Sequence, residues 1–390
     1  MTTTRTTGTR PPLWRDVRVI RAVLQILAVV IVIGLIWILG TNLRDELVEK
    51  NLPTTFDFLD QPAGVTIADS GLDPGAPLRS ALLIGVKNTF LLAIVGIPLL
   101  TVVGTLVGVA RLSTNWLVAK AATVYVETIR NIPPLLIIIF VFNVVILQLP
   151  PPSDPATPLD WWVISNLRLL GPGVTTSEGA GTLLLISLLG LVAAVVVGIW
   201  RTRYSEQTGH PHHRVLWGLG VFVAVFAIGY LLTGRPIAVS LPEVDGRVWT
   251  GGFGGLGAYF AVLIALVLYT ASHVAEIVRG SILAVDRGQT EAANAIALTT
   301  FQRLRYVVLP QAFRIALPPI INQYLNFVKN TSLAIAVGFA EITLVTFQAI
   351  GNGYPAPQLI LTLMGVYLVF SLTISIVVNI INRRLQLVGN

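Results

Sequence analysis

Eight long apolar segments dominate this chain and limit what it can fold into. Each approaches or exceeds the roughly 20 residues that an α-helix needs to cross a bilayer. Only 12% of all residues are charged, against about 25% in soluble domains. Because lipid offers the backbone no hydrogen-bond partner and the segments are too long for barrel strands, each is expected to be a helix. The sequence predicts an all-α polytopic membrane protein of about eight transmembrane helices, near residues 22–40, 82–110, 132–149, 181–200, 214–233, 257–278, 316–335 and 359–382.

The charges between these segments are unevenly distributed. With the N-terminus in the cytoplasm, the inside segments hold 18 Lys and Arg against 6 acids, counting Arg214 and Glu276 at the span ends, and the outside segments hold 6 against 12, not counting Glu341. Basic residues concentrate on the cytoplasmic side of membrane proteins, so we expect both termini to be cytoplasmic. This distribution also explains the net charge of +7 without nucleic acid as a partner. The run at 22–40 is longer than the apolar core of a signal peptide and is expected to remain as the first span.

Residue types needed for catalysis are scarce. The chain has no cysteine, and none of its four lysines stands in a phosphate-binding G-x-x-x-x-G-K-[ST] loop. Histidines cluster at His210, His212 and His213, but Glu206 is the only carboxylate nearby, so no metal site is expected. The sequence predicts no catalytic residue, and any ATP hydrolysis must come from another chain.

The segment from Asp286 to Pro310 differs from the rest because it is polar and rich in arginine. Helix-forming residues begin at Glu291, and Thr290 is a candidate N-cap. The β-branched residues after Ala297 interrupt the pattern, and a second helical stretch leads to Pro310, where we expect a break or kink. These features predict a helix-turn-helix on the cytoplasmic membrane face. Composition alone is equally compatible with an ordinary amphipathic connector.

The spacing within this segment supports a more specific interpretation. From Glu291, a Glu-Ala-Ala triplet is followed at fixed distances by a small residue, an aliphatic residue and Leu309-Pro310. This arrangement resembles the Glu-Ala-Ala loop of permease subunits in bacterial ATP-binding-cassette importers. The chain is most similar to the polar amino acid permeases, nearest the general or acidic-and-neutral amino acid subfamily. Further matching segments are KNTFLLAI at 87–94, YVETIRNIPPLL at 125–136, HVAEIVRGSI at 273–282 and the stretch 311–343.

The resemblance implies a type I importer fold, MetI-like, with a five-helix core and extra helices. The core would comprise residues 82–149 and 257–390, including the coupling loop 286–310. Residues 1–81 would form the basic tail, the first helix and a periplasmic segment. Residues 150–256 would be an insertion with two extra helices, for which we expect a scaffolding or lipid-contact role, with a substrate role as the alternative.

The resemblance also implies how the protein is driven. Two copies of a cytoplasmic ATPase would use ATP and Mg²⁺, and this chain itself would need no cofactor. The residues implied to couple to the ATPase are Glu291, Ala292, Ala293, Ala297, Leu298, Leu309 and Pro310. The family usually has glycine where this chain has Ala297, so we expect the turn either to be right-handed throughout or to be set by Leu298–Thr300.

Further partners and the location follow from the same resemblance. A second permease subunit would lie beside this one, either a shorter paralogue or an identical copy. A periplasmic amino-acid-binding protein would do most of the substrate selection. The complex would lie in the bacterial cytoplasmic membrane, in contact with lipid.

Polar residues within the spans are candidates for a substrate pathway, because such residues usually face a cavity. On the seventh span Asn322, Asn326, Lys329 and Asn330 recur at helical spacing and predict a polar face. Lys329 could meet a substrate carboxylate, snorkel to the interface or pair with Glu341. The full set of pathway candidates is Asn88, Asn322, Asn326, Lys329, Asn330, Thr331 and Ser332.

Three other ionisable groups near the spans have ordinary explanations. Lys87 is expected to snorkel at the outer end of the second span. His273 could pair with Glu276, although a core histidine is the simpler interpretation.

A self-contained, ion-coupled secondary transporter is the alternative function, but it would need deep acidic or histidine relays and would leave the Glu-Ala-Ala loop unexplained.

Overall fold

The computed structural model describes residues 16–50, 53–208, 213–245 and 248–385. Helices make up most of this part of the chain. In chain order they are α1 (Val17–Glu49), α2 (Leu78–Ala110), α3 (Trp116–Arg130), α4 (Pro134–Phe140), α5 (Ala180–Thr208), α6 (Arg214–Leu232), α7 (Gly257–Leu283), α8 (Arg287–Ala295), α9 (Thr300–Arg303), α10 (Leu309–Asn330), α11 (Ile342–Gly351) and α12 (Ala356–Leu385).

The predicted polytopic helical architecture is confirmed, although not every span is a single straight helix. Within the described residues, six helices are long and apolar enough to cross a membrane, namely α1, α2, α5, α6, α7 and α12. Two bent helix pairs bring the number to eight if each pair is counted as one span: α3 with Pro134–Ile146 turns by 105°, and Thr300–Val337 with α11 turns by 48°. The third predicted span is therefore not a straight helix through 132–149. It starts at a proline pair and ends in a π-turn, Val141–Ile146.

Helix α7 lies at the centre of the core, with α2 packed along it. Gly104 and Gly108, one turn apart on α2, allow this close approach. A Cβ atom at Gly104 would lie 2.7 Å from the Val274 side chain, and one at Gly108 would lie 2.7 Å from the Ala275 carbonyl oxygen. Small residues four apart let helix backbones meet closely in membranes, where apolar burial gives little driving force. The pair fixes α2 against α7.

The Pro- and Gly-rich insertion forms short strands as well as the expected turns. Strands β1 (Val163–Ile164), β2 (Arg168–Gly171) and β7 (Phe253–Leu256) make a three-stranded antiparallel sheet. Two antiparallel pairs accompany it: β3 (Gly173–Thr176) with β4 (Ile237–Ser240), and β5 (Glu243–Asp245) with β6 (Val248–Thr250). Valine and threonine in these runs favour extended backbone.

The insertion's two helices, α5 and α6, form a tightly packed hairpin. A Cβ at Gly190 would lie 2.9 Å from Val225, and one at Gly229 would lie 2.6 Å from Ile186. The remaining surface of both helices is largely exposed and apolar, as is that of α1. This exposure suits contact with lipid or another subunit. The division at 150 and 256 stays a prediction, and an ion pair from Asp69 to Arg168 links the segment before α2 to the insertion.

Candidate coupling loop and translocation face

The first helix of the candidate coupling loop 286–310, α8, begins one turn earlier than the sequence suggested. Asp286 is its N-cap, and a carboxylate oxygen accepts a hydrogen bond of 2.6 Å from the Gly288 N–H. Thr290 lies inside the helix, so its prediction as the cap was wrong. Aspartate before a helix satisfies the unpaired N–H groups of the first turn, a signal that was visible in the sequence. Glu291 and Ala292 are exposed, whereas Ala293 is buried.

The turn after α8 is left-handed at Ala297, whose φ is +58°. The Ala297 N–H donates to Asn294 O at 2.9 Å, and the Leu298 N–H donates to Ala293 O at 3.1 Å. These are the two bonds of a Schellman motif, which needs one left-handed residue just after the helix. The prediction that alanine would give a right-handed turn, or leave the turn to Leu298–Thr300, was wrong. Ala297 adopts the backbone that glycine favours, at a cost of about 1 kcal/mol.

A capping box starts the second arm of the loop. The Thr299 hydroxyl accepts from the Gln302 N–H at 3.3 Å, and Gln302 Oε1 accepts from the Thr299 N–H at 3.0 Å. A threonine followed three residues later by glutamine is the sequence signal for this motif, and it was missed. The arms are also tied by side chains: Gln311 Nε2 donates to Gln289 Oε1 at 3.2 Å.

Pro310 neither breaks nor kinks the second arm, contrary to the prediction. The π-turn Leu304–Val308 precedes it, and the helical stretch runs on from Thr300 to Val337. The Leu309 N–H donates to the Leu304 carbonyl, five residues back. A π-turn is wider than an α-turn, so the carbonyl four residues before proline moves away from its ring. Leu309 and Pro310 are both exposed.

Apolar side chains are exposed at the tip of the loop. Ile296 is 72% exposed and Phe301 is 68% exposed, on either side of the Ala297 turn. Leu298, also at this turn, is partly buried. Ile296 was not among the predicted site residues. Together with Glu291 and Ala292, these side chains form a small mixed surface that can pack against another protein.

Helix α10 carries the predicted polar face. Asn322, Asn326 and Lys329 are all exposed and follow at four- and three-residue spacing. Asn330 and Ser332 are partly buried. Thr331 is fully buried, and its hydroxyl donates to the Val328 carbonyl at 2.7 Å. The exposed face therefore contains Asn322, Asn326 and Lys329, while Thr331 lies on the packed side.

Glu341 is buried and caps α11, and no ion pair joins it to Lys329 in the described part of the chain. Its Oε1 accepts from the Thr343 N–H at 2.8 Å. Its Oε2 accepts from the Tyr367 hydroxyl at 2.9 Å. Capping turns the side chain back to its own helix, so the suggested pairing with Lys329 does not form.

Asn88 lies on α2 and contacts a segment other than α10. Its Nδ2 donates to the Ala340 carbonyl at 2.8 Å, which connects α2 to the segment before α11. The side chain is only partly buried, and it lines a cavity on this side of α2.

An ionic cluster that was not predicted joins α2, α3 and α7. The Glu276 carboxylate contacts Arg111 and lies 2.7 Å from Arg279 and 3.8 Å from Arg130. Arg111, only 8% exposed in its side chain, also lies 3.3 Å from Glu127. Arg130 and Glu127 belong to YVETIRN and Glu276 to HVAEIVRG, so two of the matched segments meet here.

Of the histidines that the sequence analysis considered, His273 has a simple packing contact. His273 packs edge-on against Tyr269, with ring centres 4.9 Å apart, rather than bonding to Glu276. His210 and His212 lie outside the described residues.

Similarity to known proteins agrees with this geometry. The family described as "Binding-protein-dependent transport system inner membrane component" matches residues 100–387. The chain is 36% identical to the general L-amino acid transport system permease protein AapQ of Rhizobium johnstonii, over 93% of this chain and 92% of the relative. It is 35% identical to the putative amino-acid ABC transporter permease protein YhdX of Escherichia coli, over 93% of both chains.

A shorter relative covers part of the chain. The glutamine transport system permease protein GlnP of Escherichia coli is 30% identical over 54% of this chain and 92% of the relative. The chain belongs to the family of binding-protein-dependent transport system inner membrane components, and it is a multi-pass protein of the inner membrane.

Proposed function

We propose that this chain is the translocation subunit of an ATP-driven importer of amino acids. The observation that supports this proposal most directly is the match, over nearly the whole of both chains, to a general L-amino acid permease. The second relative is also described as an amino-acid ABC transporter permease. The loop from Asp286 to Pro310 adds a physical route by which such a permease can be driven.

The loop would dock on a cytoplasmic ATPase. Glu291 offers a charge, Ala292 permits close approach, and Ile296 and Phe301 supply apolar area at the tip. The Schellman turn and the capping box keep the two arms in one arrangement. ATP and Mg²⁺ would be held by two copies of that ATPase, since this sequence contains no phosphate-binding loop. The chain would then act without a cofactor of its own.

The polar face of α10 would line the path of the substrate. Asn322, Asn326 and Lys329 are exposed in the single chain. Polar side chains within a span are costly in lipid, which favours a facing subunit or a water-filled passage. A second permease, either a shorter paralogue or a second copy, would provide the opposite wall. A binding protein would deliver the amino acid at the outer face.

The coupling role can be tested with Glu291→Lys. The complex with its ATPase and binding protein would be reconstituted in proteoliposomes, and uptake and ATP hydrolysis would be measured together. We expect uptake and substrate-stimulated hydrolysis to fall at least tenfold while the protein inserts normally, because the reversed charge opposes docking. Glu206→Lys is the control, since Glu206 is also exposed and on a predicted cytoplasmic loop. Equal activity of the Glu291 variant and wild type would refute the coupling role.

A further inference from the structure

A cavity of about 400 Å³ lies between the core and the insertion. Its walls come from four separate parts of the chain: α2, strand β7 with the start of α7, the segment before α2, and the segment before α11. The volume is within the range of small-molecule sites, which begins at about 300 Å³. The lining residues used below are Lys87, Asn88, Asp69, Phe253, Tyr259 and Phe339.

Lys87 supplies a positive charge to this cavity. The sequence suggested that Lys87 snorkels at the membrane interface, and the structure shows an exposed side chain that also lines this cavity, together with Asn88. Among the described residues, no carboxylate lies within ion-pair distance of its ammonium group, whereas Arg168, Arg79 and Lys50 each have one. A lysine with three free N–H donors is suited to bind a carboxylate.

Opposite charge lines the same cavity. Asp69 is held in place by its ion pair with Arg168 on β2, which uses one carboxylate oxygen, Oδ1. Asn88 donates its amide N–H to Ala340, which leaves its side-chain oxygen to accept. The cavity thus combines one unpaired cation with acceptor oxygens, the complement of a zwitterion.

The rest of the lining is mostly apolar and includes several aromatic side chains. Tyr259 packs against Phe339 with ring centres 5.6 Å apart, and Phe253 lines the cavity from strand β7. Pockets for small ligands are typically apolar with a few placed polar groups, as here. Phe253 belongs to the insertion, so the insertion forms part of the wall and is more than a scaffold for the core.

We propose that this cavity is a receiving site for a free α-amino acid on the outer side of the permease, with Lys87 binding the α-carboxylate. The proposal rests on the proposed amino acid import and adds to it a site, a binding residue and a role for the insertion. In this site Asp69 and Asn88 face the α-ammonium group, and the aromatic wall contacts the side chain.

Direct binding tests the site without the binding protein. The purified permease–ATPase complex in nanodiscs would be screened with each of the twenty common L-amino acids by thermal shift and calorimetry. We expect at least one to bind and its α-amide, which lacks the carboxylate charge, to bind at least tenfold more weakly. Lys87→Met should weaken binding about tenfold or more, the scale of one lost charge-assisted hydrogen bond, whereas Lys87→Arg should largely retain it. Phe253→Ala should also weaken it.

Lys50→Met is the matched control, because Lys50 is a second exposed lysine at a predicted outer helix end, paired with Glu46. Unchanged affinity in Lys87→Met, or equal losses in both lysine variants, would overturn the site. So would a bound phospholipid that mass spectrometry finds in wild type and not in Lys87→Met. ATP-driven uptake is measured separately: wild-type uptake without direct binding overturns only the cavity. Absence of uptake for all twenty amino acids would overturn the proposed function itself.

Discussion

Arg303 donates a hydrogen bond of 2.7 Å to the side-chain oxygen of Asn294, across the turn that separates the two arms of the candidate coupling loop. The two residues are nine positions apart in sequence and belong to different helices. The bond lies beside the left-handed Ala297 and limits how far the arms can separate. If the loop couples the chain to an ATPase, as proposed, it must resist such separation, because any opening would absorb displacement that would otherwise reach α10.

Replacing Arg303 with alanine should therefore reduce coupling more than it reduces stability. We expect a several-fold fall in uptake per ATP hydrolysed, since an exposed side-chain pair contributes only about 0.2–1 kcal/mol to folding. Arg305→Ala is the control, because Arg305 lies over its neighbour Tyr306 instead of bridging the arms. The ratio of uptake to hydrolysis in proteoliposomes measures the effect, and an identical ratio in both variants would contradict it.

Ala297→Gly should stabilise the loop. Glycine removes the steric cost of the left-handed backbone, about 1 kcal/mol, although it adds entropy to the unfolded chain. Ala297→Val should have the opposite and larger effect, because β-branched residues tolerate positive φ poorly. Hydrogen exchange at the Ala297 and Leu298 amides would report both changes. Faster exchange in the glycine variant than in wild type would be inconsistent with the observed turn.

Gly108→Val should disrupt the contact between α2 and α7. The added side chain would meet the Ala275 carbonyl at 2.7 Å, and overpacking of this kind costs typically 1–3 kcal/mol or more. Gly220→Val provides the control, since a Cβ at Gly220 on α6 meets nothing within 4 Å. Thermal unfolding of the two purified variants would compare them. A similar Tm for both would argue against tight packing at Gly108.

Glu276→Gln should weaken the ionic cluster. Arg111 is nearly buried, and loss of the carboxylate charge leaves its guanidinium with only the weaker contact to Glu127. Breaking a charged hydrogen bond of this kind costs about 1–3 kcal/mol, discounted here because Glu276 is partly exposed. Glu178→Gln, at an exposed position before α5, is the control. Denaturant unfolding of the two variants would show whether only Glu276→Gln lowers stability.

The spans and the loop could be predicted from sequence because each depends on local or periodic signals. Apolar length identified the helices, and residue spacing identified the arms around Ala297. The handedness at Ala297 could not be predicted, since the Schellman bonds from Asn294 and Ala293 select a backbone that alanine itself disfavours. The π-turn before Pro310 was not predicted either.

Contacts between residues far apart in sequence were the main feature that could not be predicted. Glu276 and Arg111 are 165 residues apart, and Asn88 and Ala340 are 252 residues apart. Local sequence patterns therefore could not predict either contact. Lys87 illustrates the same limit at the candidate site. Its neighbours in sequence suggested an interfacial lysine, whereas Phe253 and Asp69, which share its cavity, come from distant segments.

Strand β7 ends at Leu256 and α7 begins at Gly257, without a connecting residue. The Gly257 N–H donates to the Leu167 carbonyl at 2.7 Å, and a Cβ there would lie 2.5 Å from the Asn166 carbonyl oxygen. The three-stranded sheet and the central helix of the core are therefore joined directly, with no flexible linker between them. A displacement of that sheet would therefore be passed to the start of α7, the helix that α2, α3 and α10 pack against.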